Sequence, residues 1–225
     1  MLKSRHTLTF IKTSISHSRM KIYKKLLVLS VSFCCALNGR AQKSYMDSIA
    51  AFRKNYKADF IKEERSPLKG KDTSFLRFYP VKKEYRILGD VQLTPQSEVF
   101  EMLTHSGKKQ IYKQYALATF ILKGKEYKLS LYQNTNMAFS AEMKNYLFLP
   151  FNDLTNYETT YAGGRYIDLK TGDIQNGKLL IDFNKCYNPY CAFKEGYSCP
   201  IPPSENRLQV RIEAGEKLFG KKVAD

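Results

Sequence analysis

The run QIYKQYALATFILKGKEYKLSLY, residues 110–132, decides how this chain folds. Gln110 to Leu122 is long and apolar, and it breaks at Lys123-Gly124. Beyond the break Tyr127, Leu129 and Leu131 alternate with polar neighbours and so share one face of a strand. An apolar run, a glycine turn and a clean alternation read as two paired strands. The flanking segments repeat the pattern. Val99 to His105 alternates and stops at Ser106-Gly107, a hairpin signal. Asn145 to Phe151, Tyr166 to Leu169 and Leu179 to Phe183 are short apolar segments, the last two separated by the turn residues of Thr171 to Gly177. Leu208, Val210 and Ile212 place a final strand near the C-terminus, while Phe75 to Tyr79 and Tyr85 to Leu88 flank Pro80 upstream.

Residues 44–64 differ. Tyr45, Ile49, Phe52, Tyr56 and Phe60 recur at helical spacing, and Ser66-Pro67 ends the helix because the residue before proline is pushed out of the helical region. The expected fold is mainly β: an antiparallel sandwich or partly open barrel with one N-terminal α-helix alongside. No repeat or linker divides residues 42–225, which are expected to form a single domain.

The net charge of +16 over 225 residues falls unevenly. Residues 1–41 hold eight basic and no acidic residues, so 42–225 carries 29 basic against 21 acidic. That moderate excess contains no arginine-rich run to grip a phosphate backbone, so nucleic acid is not the expected partner.

The first 41 residues read as a cleavable export signal. Lys21, Lys24 and Lys25 precede a 12-residue apolar stretch, Leu26 to Leu37, and Gly39-Arg40-Ala41 sets small residues for cleavage before Gln42. Met20 opens this signal by itself, so residues 1–19 are expected to reflect a start assigned too early. The stretch is shorter than the roughly 20 residues that span a bilayer, and no later run matches it, so the mature protein is expected to be soluble, periplasmic or secreted. A lipid anchor on Cys34 or Cys35 is disfavoured, because Val31-Ser32-Phe33 lacks the small residue such a site needs.

There is no phosphate-binding glycine loop, nucleophile elbow or His-Glu-x-x-His motif. After cleavage one histidine remains, His105, beside a predicted turn; this removes histidine-based triads and multi-histidine metal sites. Three cysteines remain, Cys186, Cys191 and Cys199, enough for at most one internal bridge. Cys191 and Cys199, eight apart on a loop, are the candidate disulfide and would close a small ring. The alternative, a three-thiol metal site, lacks the paired knuckle of zinc motifs, and neither metal nor cofactor is expected.

Unusual residues crowd three pieces of sequence: FLPFNDLTNYETTYAGGRY (148–166), DFNKCYNPYC (182–191) and CPIPPSENR (199–207), the last followed by AGEK (214–217). Together with Ser66-Pro67-Leu68, these blocks resemble the signature of the domain of unknown function 1684 family of bacteria and archaea. The resemblance covers most of the mature chain and implies no reaction or cofactor. Cys186 stands where the family tends to carry a small residue, which implies that Cys186 is the spare thiol.

The candidate ligand-contacting residues are Asp153, Glu158, Tyr161, Arg165, Tyr166, Asp182, Asn184, Tyr187, Asn188, Glu205 and Asn206. If they converge on one pocket, Arg165 offers a planar charged fork to an anion, the carboxylates serve as acid, base or cation ligand, and the tyrosines form walls. Three readings follow. The first is a non-enzymatic exported domain that binds a small ligand or envelope component at the Phe148–Glu216 face. The second is a hydrolase or lyase that takes a carboxylate pair from Asp153, Glu158 and Asp182, with Arg165 as charge stabiliser. The third is a purely structural network, with Arg165 bonded to Asp153 or Asp182 and the glycines and prolines shaping loops. An open pocket with unpaired charges favours the first two, and a closed, satisfied network favours the third.

Overall fold

A computed structural model describes residues 43–221; the expected export signal lies outside the described residues. Helix α1 covers residues 43–62, and its portion from Ser48 belongs to one compact unit with the sheet. Ile49 and Phe60 are buried, and the chain leaves the helix through Ser66, whose side chain bonds the Leu68 backbone. No helix among the described residues is long and apolar enough to cross a membrane.

Eight strands follow: β1 (Arg86–Leu93), β2 (Val99–Leu103), β3 (Lys109–Leu122), β4 (Lys125–Asn134), β5 (Tyr146–Phe151), β6 (Arg165–Lys170), β7 (Ile174–Gln175) and β8 (Lys178–Asp182). They form one antiparallel sheet in the order β6-β5-β4-β3-β1-β8-β7, with β2 paired to β3. The sheet is not closed, so the fold is mainly β with an open sheet and one N-terminal helix, as the sequence predicts. β3 is its spine. One edge of β3 pairs with β4; the other pairs with β2 in its first half and β1 in its second, around a bulge between Gln114 and Ala116. The β3–β4 turn puts both Lys123 (φ 51°) and Gly124 (φ 77°) in the left-handed region, the geometry a two-residue hairpin needs.

Alternation fills the core. Ala116, Ala118 and Phe120 from β3 meet Leu129 and Leu131 from β4, Leu147 and Leu149 from β5, and Ile167 and Leu169 from β6. A second cluster ties Phe60 of α1 to Leu68, Leu76, Ala192 and Phe193.

Two expected strands do not form. Phe75 to Tyr79 leaves a 3-10 turn at Gly70–Phe75, and only Phe78 makes a bridge, to Glu216. Leu208, Val210 and Ile212 are buried as the alternation requires, yet no ladder forms there. The Leu208 N–H donates to Asn152 O (2.8 Å) and the Ile212 N–H to the Asp153 side chain (3.2 Å), while Val210 O accepts the Leu154 N–H (3.1 Å), so a loop and a carboxylate stand where a partner strand would.

The sheet has one weak seam, between β4 and β5, where the register holds a single pair, Tyr132 with Phe148. Pro150, within β5, has no N–H to offer a ladder. The buried Asn206 side chain fills the gap like an extra peptide unit. It accepts the Ser130 N–H at 2.7 Å and donates to Ser130 O (2.9 Å) and Pro150 O (2.7 Å). Removing that amide leaves buried polar groups on both strands unpaired. Asn206→Ala is therefore expected to lower the unfolding free energy by about 2–4 kcal/mol. A urea titration would read this as a lower midpoint at unchanged slope; a variant as stable as the parent would show that the amide does not hold the seam.

Candidate functional site

Arg165 opens β6 and points into the core, fully buried. Its Nη2 donates to Asp153 Oδ2 at 2.6 Å and to Ile212 O at 2.9 Å, and its Nη1 to Ala214 O at 2.5 Å and Glu216 O at 3.2 Å. Asp153 Oδ1 meanwhile accepts the N–H groups of Thr155 (2.7 Å) and Ile212 (3.2 Å). Arg165 is thus not placed to grip an external anion; its fork is spent on backbone carbonyls and one carboxylate.

The other candidates do not converge on one pocket. Asp182 accepts the Asn184 N–H (3.1 Å) and caps a one-turn 3-10 helix, while the Asn184 amide clasps the Lys82 backbone at both its N–H and carbonyl. Glu158 is exposed and pairs with Arg211 at 2.7 Å. Glu205 is exposed and accepts the Tyr132 hydroxyl (2.7 Å). Asn188 and Asn206 are buried. Asp153, Glu158 and Asp182 therefore form no shared acid–base pair: one faces Arg165, one sits on the surface and one caps a turn.

Two cavities of similar size flank the segment Cys199 to Pro202. The first, about 550 Å³, lies between α1, β6 and the loop 187–200, and takes Tyr166 and Tyr187 from the candidates. The second, about 560 Å³, is more polar; Asp153 and Tyr161 line it with His105 and Arg207. The second needs Gly163, where a Cβ would sit 2.5 Å from the Tyr161 ring and 2.6 Å from His105 Nε2. Gly164 adopts φ 90°, and a Cβ there would meet Phe151 O and Pro202 at 2.7 Å. Cys191 and Cys199 form a disulfide that ties down the wall between the cavities, and Cys186 is the spare thiol, buried beside the core and pushed up to about 11 by that burial.

The first cavity is an aromatic cleft. Phe52, Tyr56 and Phe60 come from α1, Tyr166 from β6, and Tyr187, Tyr190 and Tyr197 from the loop. Tyr187 packs edge-on to Tyr166 at 5.9 Å and lies 5.8 Å from Tyr56. Asp168, on the outward face of β6, sits among these rings and accepts the hydroxyls of Tyr146 and Tyr187 on one oxygen, each at 2.6 Å. The surrounding rings raise its carboxyl above the ordinary range, and the two hydroxyls partly hold it back. Sequence reasoning did not mark Asp168, Tyr190, Tyr197 or the α1 ring faces as site residues. A carboxylate mid-strand and a stripe at helical spacing carry no signal distinct from ordinary surface and core.

An open antiparallel sheet with a helix laid against it and a tyrosine-walled cleft defines the class of protein. The chain belongs to a family of proteins of unknown function, DUF1684, whose profile matches residues 72–217. It is similar to the solution NMR structure of an uncharacterized protein from Haloarcula marismortui, at 28% identity and a TM-score of 0.61, over 79% of this chain and 96% of that one. No curated protein matches the chain.

Behind the cleft lies Glu216, fully buried. Its Oε2 accepts the Tyr56 hydroxyl (2.9 Å) and the Asn188 N–H (2.8 Å). Its Oε1 and Asn188 Oδ1 are both buried acceptors without a partner among the described residues. Burial lifts this carboxyl from 4.5 to about 8. Between those values the folded chain keeps a proton that the unfolded chain loses. The contribution is therefore full below about 4.5 and lost as pH rises through about 8. The slope approaches about 1.4 kcal/mol per pH unit. Glu216→Gln keeps a neutral donor and is expected to flatten the decline; urea midpoints measured from pH 5 to 9 that fall equally in both proteins would refute a buried neutral acid.

Proposed function

We propose that the protein binds a small organic molecule in the aromatic cleft between α1, β6 and the 187–200 loop. The carrying observation is the cleft itself: a cavity of about 550 Å³ walled by seven aromatic rings, with a disulfide fixing one rim. Such dimensions suit a ligand of drug-like size, and rigid rings lose little entropy on binding. The carboxylate-based hydrolase or lyase has no comparable support, because Asp153, Glu158 and Asp182 are each engaged elsewhere. Export to the periplasm or beyond belongs to the same proposal; a disulfide between Cys191 and Cys199 suits an oxidising compartment.

A protein-observed NMR screen of soluble fragments is expected to give hits that shift signals of Tyr197 and Ser198. Asn55, exposed on α1 at the cleft, offers a plug that leaves the core alone. Asn55→Trp is expected to weaken those hits at least about tenfold, equivalent to ~1.4 kcal/mol. Hits that map to another face, or persist in the plugged variant, would move the function elsewhere.

A further inference from the structure

We infer that the occupant of the aromatic cleft is an organic cation, a quaternary or protonated amine. This rests on the binding reading above and adds the chemistry of the ligand. It follows from where the tyrosine protons go. Five tyrosines line the cleft, and every hydroxyl donates to an internal acceptor. Tyr56 donates to Glu216 (2.9 Å), Tyr187 to Asp168 (2.6 Å) and Tyr197 to Arg65 O (2.7 Å). Tyr166 donates to Pro200 O and Tyr190 to Glu63. A hydroxyl has one proton to give, so these five offer an incoming ligand only lone pairs. Three of the five donate to carboxyl groups, which makes their rings richer in electrons.

The rest of the wall has the same bias. Among the described residues no lysine, arginine or histidine lines the cleft, although the Lys185 ammonium lies 5.7 Å from the Phe52 ring; the acidic side chains in the wall are Asp59 and Asp168. Asp168 uses one oxygen for the two tyrosines, and no hydrogen bond reaches the other among the described residues. Asp59 is the weaker of the two, since Lys62 lies 3.5 Å away on the exposed helix face. An acidic, ring-lined recess therefore sits in a domain whose overall charge is positive, with 29 basic against 21 acidic residues over 42–225. An anion or a ligand rich in acceptors finds almost no donor there beyond the Asn55 amide and Ser198. A cation finds ring faces and a carboxylate, the combination that recognises quaternary ammonium groups. The neighbouring cavity differs in that His105 and Arg207 join Asp153 and Tyr161 in its wall.

The test titrates the full chain with three soluble probes of one shape: choline, its neutral isostere 3,3-dimethyl-1-butanol, and anionic 3,3-dimethylbutyrate. Protein-observed NMR measures the affinities. Choline is expected to bind about tenfold tighter than the alcohol, and the butyrate most weakly. Asp168→Asn keeps an acceptor for both tyrosines, and it is expected to erase most of choline's advantage over the alcohol. Asp59→Asn, on the exposed helix face, gives a smaller loss and serves if the first variant folds poorly. Equal affinity for choline and the alcohol, or a preference for the butyrate, overturns the cation and leaves cleft binding standing. Binding by none of the three also overturns it, and the fragment screen then decides separately whether the cleft binds at all.

Discussion

The Arg165 guanidinium does the work of a missing strand. Between Ile212 and Glu216 the chain crosses the core without a ladder, and its carbonyls need donors. Arg165 supplies them from the side, bonding the carbonyls of Ile212, Ala214 and Glu216, while Asp153 takes the Ile212 N–H. Burying such a pair is unfavourable unless nearly every polar atom is matched. Here five polar contacts surround the fork and only Nε lacks one among the described residues. The pair therefore fixes a conformation that backbone bonds alone leave open: the turn at 153–160, the start of β6 and the C-terminal crossing all meet at one group.

That constraint reaches the cleft through the period of β6. Arg165, Ile167 and Leu169 face the core, so Tyr166 and Asp168 face the other side. A slip of one residue would turn Asp168 inward and Ile167 into the cleft, and a buried guanidinium with fixed partners forbids the slip. The opposite wall is held just as firmly. The disulfide and the prolines from Pro200 to Pro203 stiffen the segment whose carbonyl receives the Tyr166 hydroxyl. The rings thus meet a ligand already in place, and little ordering remains to oppose binding.

The fold was largely legible because its signals are local. The β3–β4 hairpin, the alternation of core residues and a helix that ends at residue 62, shortly before Ser66-Pro67, all follow from neighbours in sequence. The segments at Phe75 and Leu208 misled because aromatic content at the first and alternation at the second suit a strand without showing that a partner strand exists; Asp153 and Asn152 stand in for one at Leu208. The candidate site was legible only in outline. The motif-dense region does border both cavities, yet Arg165, Asp182, Asn184 and Asn206 serve backbone that has few ladder bonds. Polar side chains crowd such stretches because irregular chain must satisfy its N–H and C=O groups somehow. Density of polar residues therefore marked a demanding backbone before it marked chemistry.

The residues that face the cleft look ordinary for the converse reason. Phe52, Tyr56 and Phe60 form one stripe on α1, and such a stripe reads as core. It is core only at its far end: Phe60 is buried against Phe193, whereas Phe52 and Tyr56 are half-buried at the cleft. One helical face thus anchors the helix at one end and opens a recess at the other. Asp168 is invisible in the same way, since any carboxylate on an outward strand position suits water. What makes it a site is that Tyr146 and Tyr187 surround it, from β5 and from a loop 19 residues on. The chemistry here is made by assembly of common residues, and the rare ones exist to make that assembly hold.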